Sequence, residues 1–141
     1  MPFITQTAIG KREVLRVYGN DYDTPDGTAI RDYIHVVDLS EAHVAALNRM
    51  LQNKMKNNYE IFNLGTGQGH TVLEVIHSFE KVSGVKLNYV FTGRRPGDVE
   101  KVWADTTYAN QELGWKAQRS LDEMTLSAWR WELRLAGKLN E

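Results

Sequence analysis

The chain has no cysteine, which excludes disulfides and thiolate-held metals without fixing a compartment. It has no run of about 18 apolar residues, the length that a membrane-spanning helix needs. The opening Met1-Pro-Phe-Ile-Thr-Gln6 places no basic region ahead of an apolar core, so it does not read as a secretory signal. Charge of one sign is lacking too. Seventeen Lys and Arg against eighteen Asp and Glu leave a net charge of -1, and the basic residues are scattered rather than striped. A nucleic-acid footprint is therefore not expected. These absences leave a soluble, cytoplasmic protein as the default expectation, with neither nucleic acid nor membrane as partner.

Catalytic signatures are equally sparse. The four histidines, His35, His43, His70 and His77, form no H-E-x-x-H and no other close metal spacing, so no metal site is expected. No serine lies in G-x-S-x-G. None of the six tyrosines (Tyr18, Tyr22, Tyr33, Tyr59, Tyr89, Tyr108) has a lysine four places on, and no G-x-x-G-x-x-G occurs. The residues thus offer no catalytic group and no dinucleotide fingerprint.

What is present is an ordinary globular composition, 42% hydrophobic and 25% charged over 141 residues. That length suits one domain spanning 1–141, able to bury roughly two thirds of its unfolded surface. Residues Phe3 to Gly10 suggest a short helix or the tail of one. Val14 to Tyr18 and Leu87 to Phe91 have strand composition, as do Tyr33 to Val36 and Tyr59 to Leu64. Gly19 to Gly27 and Gly93 to Asp98 read as loop and turn. Capping boxes are expected at Asp38 with Glu41, Thr71 with Glu74, and Ser120 with Glu123.

The first opens a helix with Leu39, Ala42, Ala46, Leu47 and Met50 inward, fading over Asn53 to Asn58. The second opens one that faces inward through Val72, Val75, Ile76, Phe79 and Val82 and ends at Gly84. The third turns Leu121, Met124, Ala128, Trp131 and Leu135 inward. Asp105 to Leu113 is a further short helix stopped by Gly114, and Trp129 and Trp131 read as core and interface. Alternating strands and helices make the class α/β or α+β, with no repeat and no linker.

Gly65-Thr-Gly-Gln-Gly69 lies between a predicted strand and a predicted helix. Its spacing is not G-x-G-x-x-G, so a tight turn is the first reading and an anion at the following helix N-terminus the second. The loop arginines are a better lead. Arg31 follows a polar loop, and Arg94-Arg95 sits on a turn with Asp98 three residues on. Guanidinium groups clasp a diphosphate bidentately, and a carboxylate suits ribose hydroxyls. From the residues alone, surface pairing of Arg95 with Asp98, or of Arg31 with Asp32, is the favoured alternative.

The run Tyr18 to Leu39, with Asp21-Tyr-Asp-Thr-Pro-Asp-Gly-Thr28 leading into Arg31-Asp-Tyr-Ile-His35, is distinctive. Asn63-Leu-Gly-Thr-Gly67, Arg94-Arg-Pro-Gly-Asp98, Trp103-Ala-Asp105, Leu113-Gly-Trp115 and Leu121-Asp-Glu-Met124 follow in order. Together they resemble the C-terminal portion of the UDP-galactose (UDP-glucose) 4-epimerases, in the extended short-chain dehydrogenase/reductase superfamily, over essentially the whole chain. The resemblance implies a small mixed substrate-binding domain that packs on a Rossmann NAD-binding domain lying upstream of Met1. It implies an isomerase that interconverts UDP-galactose and UDP-glucose by hydride transfer at C4 to NAD, commonly as a homodimer.

By matched position, Arg31 and Arg95 would hold the diphosphate and Asp98 a ribose hydroxyl. Arg16, Val17 and Tyr18 would meet the uracil through backbone groups, and Val72 would neighbour the nucleotide. The NAD loop, the Tyr-x-x-x-Lys pair and an Asn-Asn-Leu segment would all lie upstream. The place four residues past Asp98, aromatic in the family and close to the sugar, is Val102 here.

The isolated chain is therefore expected to show no turnover, to bind UDP weakly or not at all, and to associate through exposed apolar surface. Two alternatives stand beside this reading. One is the substrate half of a UDP-glucuronate decarboxylase or a nucleotide-sugar dehydratase, against which the Asp21 to Thr28 loop argues. The other is a non-catalytic UDP-binding module.

Overall fold

A computed structural model describes residues 1–139. Its largest core forms where local sequence signals agree with one another. Helix α1 (Pro2–Ala8) starts with proline near its N-terminus, where no intrahelical N–H is needed. Strand β1 (Leu15–Tyr18) alternates buried and exposed side chains and sends Leu15 and Val17 inward. The helix later in the chain, Val72–Ser83, has Thr71 and Glu74 closing a reciprocal capping box, and Gly84 ends it in the left-handed conformation at φ 71°. It leads into Tyr89–Thr92, which pairs parallel with β1 from Leu15↔Tyr89 to Tyr18↔Thr92. Ile4, Leu15, Val17, Val75, Ile76, Phe79 and Leu87 make up the core. The final helix, Leu121–Leu135, closes it, with Trp129 edge-on to Phe79 at a centroid distance of 5.6 Å.

The remaining elements form a second lobe. Strand β2 (Ile30–Arg31) lies between β3 (His70–Thr71, antiparallel) and β5 (Lys101–Val102, parallel). Helices α2 (Val36–Leu51) and α4 (Thr107–Leu113) pack against each other, and the elements given above by residue range are α3, β4 and α5. Asp105 accepts the N–H of Thr107 at 3.0 Å, and Gly114 closes α4 at φ 60°.

Five expectations are corrected. Residues 33–36 are not a strand: Val36 already belongs to α2, whose N-cap is His35 rather than Asp38. The His35 Nδ1 accepts the Val37 N–H at 3.0 Å while Nε2 meets Ser127 Oγ at 2.8 Å, so the ring serves as a cap that the Asp38 pattern concealed. Asp38, fully buried, instead binds Arg119. Residues 59–64 are extended but not a strand, because a strand needs a ladder. No backbone hydrogen bond joins them to another segment among the described residues.

The inward face of α2 is Asp38, Ala42 and Arg49, with Leu47 and Met50 more than half exposed. Likewise α5 buries Met124, Thr125 and Glu132, and exposes Trp131 and Leu135. In both helices, side chains that bond or pair take the inner stripe, and a second apolar stripe is left outside. Glu132 accepts from Thr5 Oγ1 (3.1 Å) and Lys11 Nζ (2.6 Å), tying α5 to α1.

Candidate functional site

The end of β1, the end of β2 and the turn at 93–98 meet at one edge of the molecule. Tyr18, the last residue of β1, presents its ring face to the Arg95 guanidinium, 4.9 Å from the centroid. Arg95 grips Asp98 through two bonds of 3.0 Å, Nε to Oδ2 and Nη2 to Oδ1. Arg31 reaches the same carboxylate from β2, with Nη2 at 3.8 Å from Oδ1. Its other terminal nitrogen donates to the carbonyl of Ile30 at 2.7 Å and lies 3.4 Å from that of Glu100.

Two guanidiniums from separate elements thus converge on one acidic side chain. The Asp98 side chain is only 19% exposed, whereas that of Arg95 is 60% exposed. The hydrogen bonds from Arg95 hold the Asp98 carboxyl below its usual range, and the same bonds push Arg95 upward.

The other sequence-predicted residues lie alongside. Arg16 is exposed on β1, while Val17 is 1% exposed in the core, so only its backbone can serve a ligand. Val72 opens α3 and gives its N–H to the Ala29 carbonyl at 3.2 Å. Arg16, Val17 and Val72 line one small cavity of about 150 Å³ together with Tyr33. Arg16 and Tyr18 also border an open cleft of about 420 Å³ beside Phe3 and Arg12. On the far side of β2, Arg31 lines a cleft of about 440 Å³ with Asn63, Trp103 and Asp105. The seven positions therefore fall into two groups joined by β1: Arg16, Val17 and Val72, and Tyr18, Arg31, Arg95 and Asp98.

The supports of this cluster had weaker sequence signals. Asp32, expected to pair with Arg31, turns away from it. It accepts Thr66 N–H (2.9 Å), Thr66 Oγ1 (2.7 Å), Gly67 N–H (3.1 Å) and Ala104 N–H (3.2 Å), stitching the glycine turn and the segment after β5 to the end of β2. A Cβ at Gly65 would come within 2.3 Å of its Oδ2, and Gly67 sits at φ 73°, so this turn needs both glycines.

Asp26 does similar work for the 20–28 loop. It bonds Thr71 Oγ1, the Thr28 N–H and Thr28 Oγ1, and Thr28 Oγ1 in turn accepts Leu73 N–H at 3.3 Å. Burial raises the Asp26 carboxyl, but the bonds from Thr71 and Thr28 outweigh it and hold the group low. Arg94 clasps Asp21 at 2.8 Å and lies over the Tyr22 ring at 4.0 Å, forming a rim beside Arg95. Only the Asp26–Thr28 contact is local in sequence; the partners Thr66, Gly67, Ala104, Thr71 and Arg94 are all distant, so no local signal marks these aspartates as supports.

The first amides of α3 are already taken by Ala29, Thr28 and Thr71, so no anion cradle remains there. Without a dinucleotide fingerprint or a free helix N-terminus after the glycine turn, these residues do not fit NAD. Among the described residues there is no metal-binding group of His, Asp and Glu, and no helix is long and apolar enough to cross a membrane.

The geometry can be set against known proteins. The sequence model of the GDP-mannose 4,6-dehydratase family matches residues 1–127. A UDP-glucose 4-epimerase from Oryza sativa subsp. japonica is 52% identical over 93% of this chain. The UDP-glucose 4-epimerase of Stenotrophomonas maltophila, solved with NAD and formylated UDP-arabinopyranose, superposes on 98% of the chain with a TM-score of 0.92 at 42% identity. The enzyme from Bifidobacterium longum, in complex with NAD+ and UDP, also covers 98% with a TM-score of 0.89 at 43% identity. The chain spans 37% of the rice protein and 40% of each solved chain.

Proposed function

Because this chain belongs to the GDP-mannose 4,6-dehydratase family, we propose that it is the substrate-binding part of a UDP-glucose 4-epimerase. The observation that carries this reading is the convergence of Arg31 and Arg95 on Asp98 beside Tyr18. In this reading the two guanidiniums receive the diphosphate of UDP-galactose or UDP-glucose. Asp98 accepts from a ribose hydroxyl, and the backbone at Arg16, Val17 and Tyr18 meets the uracil. Val72 closes the nucleotide side of the cavity that it shares with Arg16 and Val17.

Epimerisation at C4 needs a base and a hydride acceptor beside the sugar. NAD supplies the second when it is bound. The NAD-binding residues are assigned to a preceding half, which docks on the exposed apolar stripe of α2 and on extended residues 59–64. What this chain contributes is the hold on the nucleotide, which fixes where C4 lies. The solved relatives with bound UDP or a UDP-sugar support the assignment.

Titrating UDP against the chain by ligand line broadening tests it. Weak binding is expected, reduced about tenfold or more in Arg31→Ala and again in Arg95→Ala, the scale of a lost charge-assisted bond. UDP-galactose incubated with the chain and NAD should remain unconverted. Turnover by the chain alone, or UDP binding indifferent to both substitutions, overturns the proposal.

A further inference from the structure

The two arginines assigned to the diphosphate already face an anion, and that anion is part of the protein. Asp98 accepts two bonds of 3.0 Å from Arg95 and has Arg31 at 3.8 Å. Its side chain is largely covered, and the turn holds it in place through its own N–H, which donates to the Arg95 carbonyl at 3.2 Å. The neighbouring pair behaves differently: Asp21 engages Arg94 alone, and both side chains are well exposed. One carboxylate serving two guanidiniums resembles a phosphate in charge and in the planar, two-oxygen face it offers.

We propose that Asp98 is an internal placeholder that admits a nucleoside diphosphate and excludes a bare diphosphate. This inference rests on the substrate reading of the same cluster. A ligand that brings only a diphosphate must displace Asp98 from Arg95 and Arg31 and leave that carboxylate without a partner. The uncompensated loss makes such a ligand weak. A ligand that brings a ribose next to the diphosphate offers Asp98 a hydroxyl donor in exchange. The carboxylate then moves from guanidinium to sugar as the phosphates arrive. Selectivity for the nucleotide thus arises from a swap of partners within the site, and does not depend on reading the base. The same placeholder keeps Arg95, otherwise exposed above Tyr18, from capturing cellular phosphate.

The test is a pair of titrations, inorganic pyrophosphate and UDP, on the wild-type chain, Asp98→Asn and Asp21→Asn. Asparagine preserves the shape of Asp98 but releases the two arginines. Pyrophosphate is expected to bind Asp98→Asn at least tenfold more tightly than wild type, while UDP gains less than pyrophosphate or loses affinity. Asp21→Asn removes an equal charge one arginine away and should leave pyrophosphate within about twofold of wild type, which separates the exchange from a general change of surface potential. Asp98→Asn should stay folded, because the Asp98 turn bond is made by backbone, with a melt lowered only by the lost arginine bonds.

Pyrophosphate binding that is equal in wild type and Asp98→Asn, absent from both, or raised equally by Asp21→Asn overturns the placeholder. If pyrophosphate gains in Asp98→Asn but UDP binds none of the proteins, exclusion of a bare diphosphate stands and the claim that Asp98 admits a nucleoside diphosphate is overturned; UDP binding that ignores Arg31→Ala and Arg95→Ala is the separate result that fells the UDP-sugar assignment.

Discussion

The two lobes of this molecule are built on opposite principles. Between α1, β1, α3, β4 and α5 the inside is mainly apolar: Ile76 and Phe79 have no exposed surface and Val17 and Val75 almost none, with Thr125 and Glu132 of α5 as bonded polar exceptions. Around α2, residues 59–64 and α4, charge is inside. Arg49, 8% exposed, bonds Glu60 at 2.7 and 2.9 Å and Glu112 at 2.8 Å, and Lys56 also pairs with Glu112. Asp38 and Arg119 make a second pair at the start of α2.

Here the apolar residues face out: Val36, Val44, Leu47 and Leu51 run down one side of α2, with Tyr59 and Ile61 beside them in sequence on the extended segment. One lobe completes its core from its own residues. The other uses ion pairs to hold its elements in place and presents its hydrophobic surface outward. A hydrophobic core is self-sufficient, whereas a paired charge network positions without supplying much net stability.

The most forceful way to break this contrast is to open the apolar core. Phe79→Ala removes a side chain with no exposed surface and its edge-on contact with Trp129. It should cost about 3–5 kcal/mol, read as a shifted midpoint in urea unfolding. A loss near zero would mean that the first lobe is not what stabilises the chain.

The charged lobe should instead respond to pH. Hydrogen bonds from Arg49 hold the Glu60 carboxyl far below its ordinary value, down to about 2, while the same bonds push Arg49 upward. A depressed carboxylate stabilises the fold fully above its unfolded value of 4.5, and that contribution drains as pH falls toward 2. Amide signals of residues 56–64 should therefore collapse across that window before those of Val75 to Phe79 in α3. Arg49→Met should remove most of this acid response, because the largest influence on Glu60 is then gone and only the N–H and charge of Lys56 still lower it. Simultaneous loss of both sets of signals would show a single cooperative unit in place of two differently built lobes.

This contrast also explains which features could be read from the chain. Thr71 and Ser120 were legible as caps because a capping box is closed within four residues. Strands β1 and β4 were legible because their β-branched and aromatic composition is local. The two-residue strands β2, β3 and β5 carry no such pattern and exist only through pairing with distant residues. Helix α2 misled because it has two stripes. Its apolar stripe, through Leu47 and Met50, has the spacing of an inner face, but Asp38 and Arg49 hold that place by bonding. At the site, Arg31 and Arg95 were visible as arginines on loops. The pairing of Arg95 with Asp98 is local, three residues apart, but the arrival of Arg31 at the same carboxylate depends on how β2 and the 93–98 turn approach each other, and no local signal encodes that.

The finest test acts on the outward stripe of the charged lobe. Leu47 and Ile61 are 56% and 74% exposed, so replacing both with lysine removes little that the chain itself has buried. Leu47→Lys with Ile61→Lys should leave the unfolding free energy within about 0.5 kcal/mol of wild type. The same pair should lower concentration-dependent association in sedimentation velocity, because like charges then cover a surface that otherwise favours apolar contact. If the double variant is destabilised on the scale of Phe79→Ala, these side chains belong to a core and the two lobes are built alike. If stability is unchanged and association falls, α2 and residues 59–64 form a surface prepared for another segment, held ready by the Arg49 network beneath it.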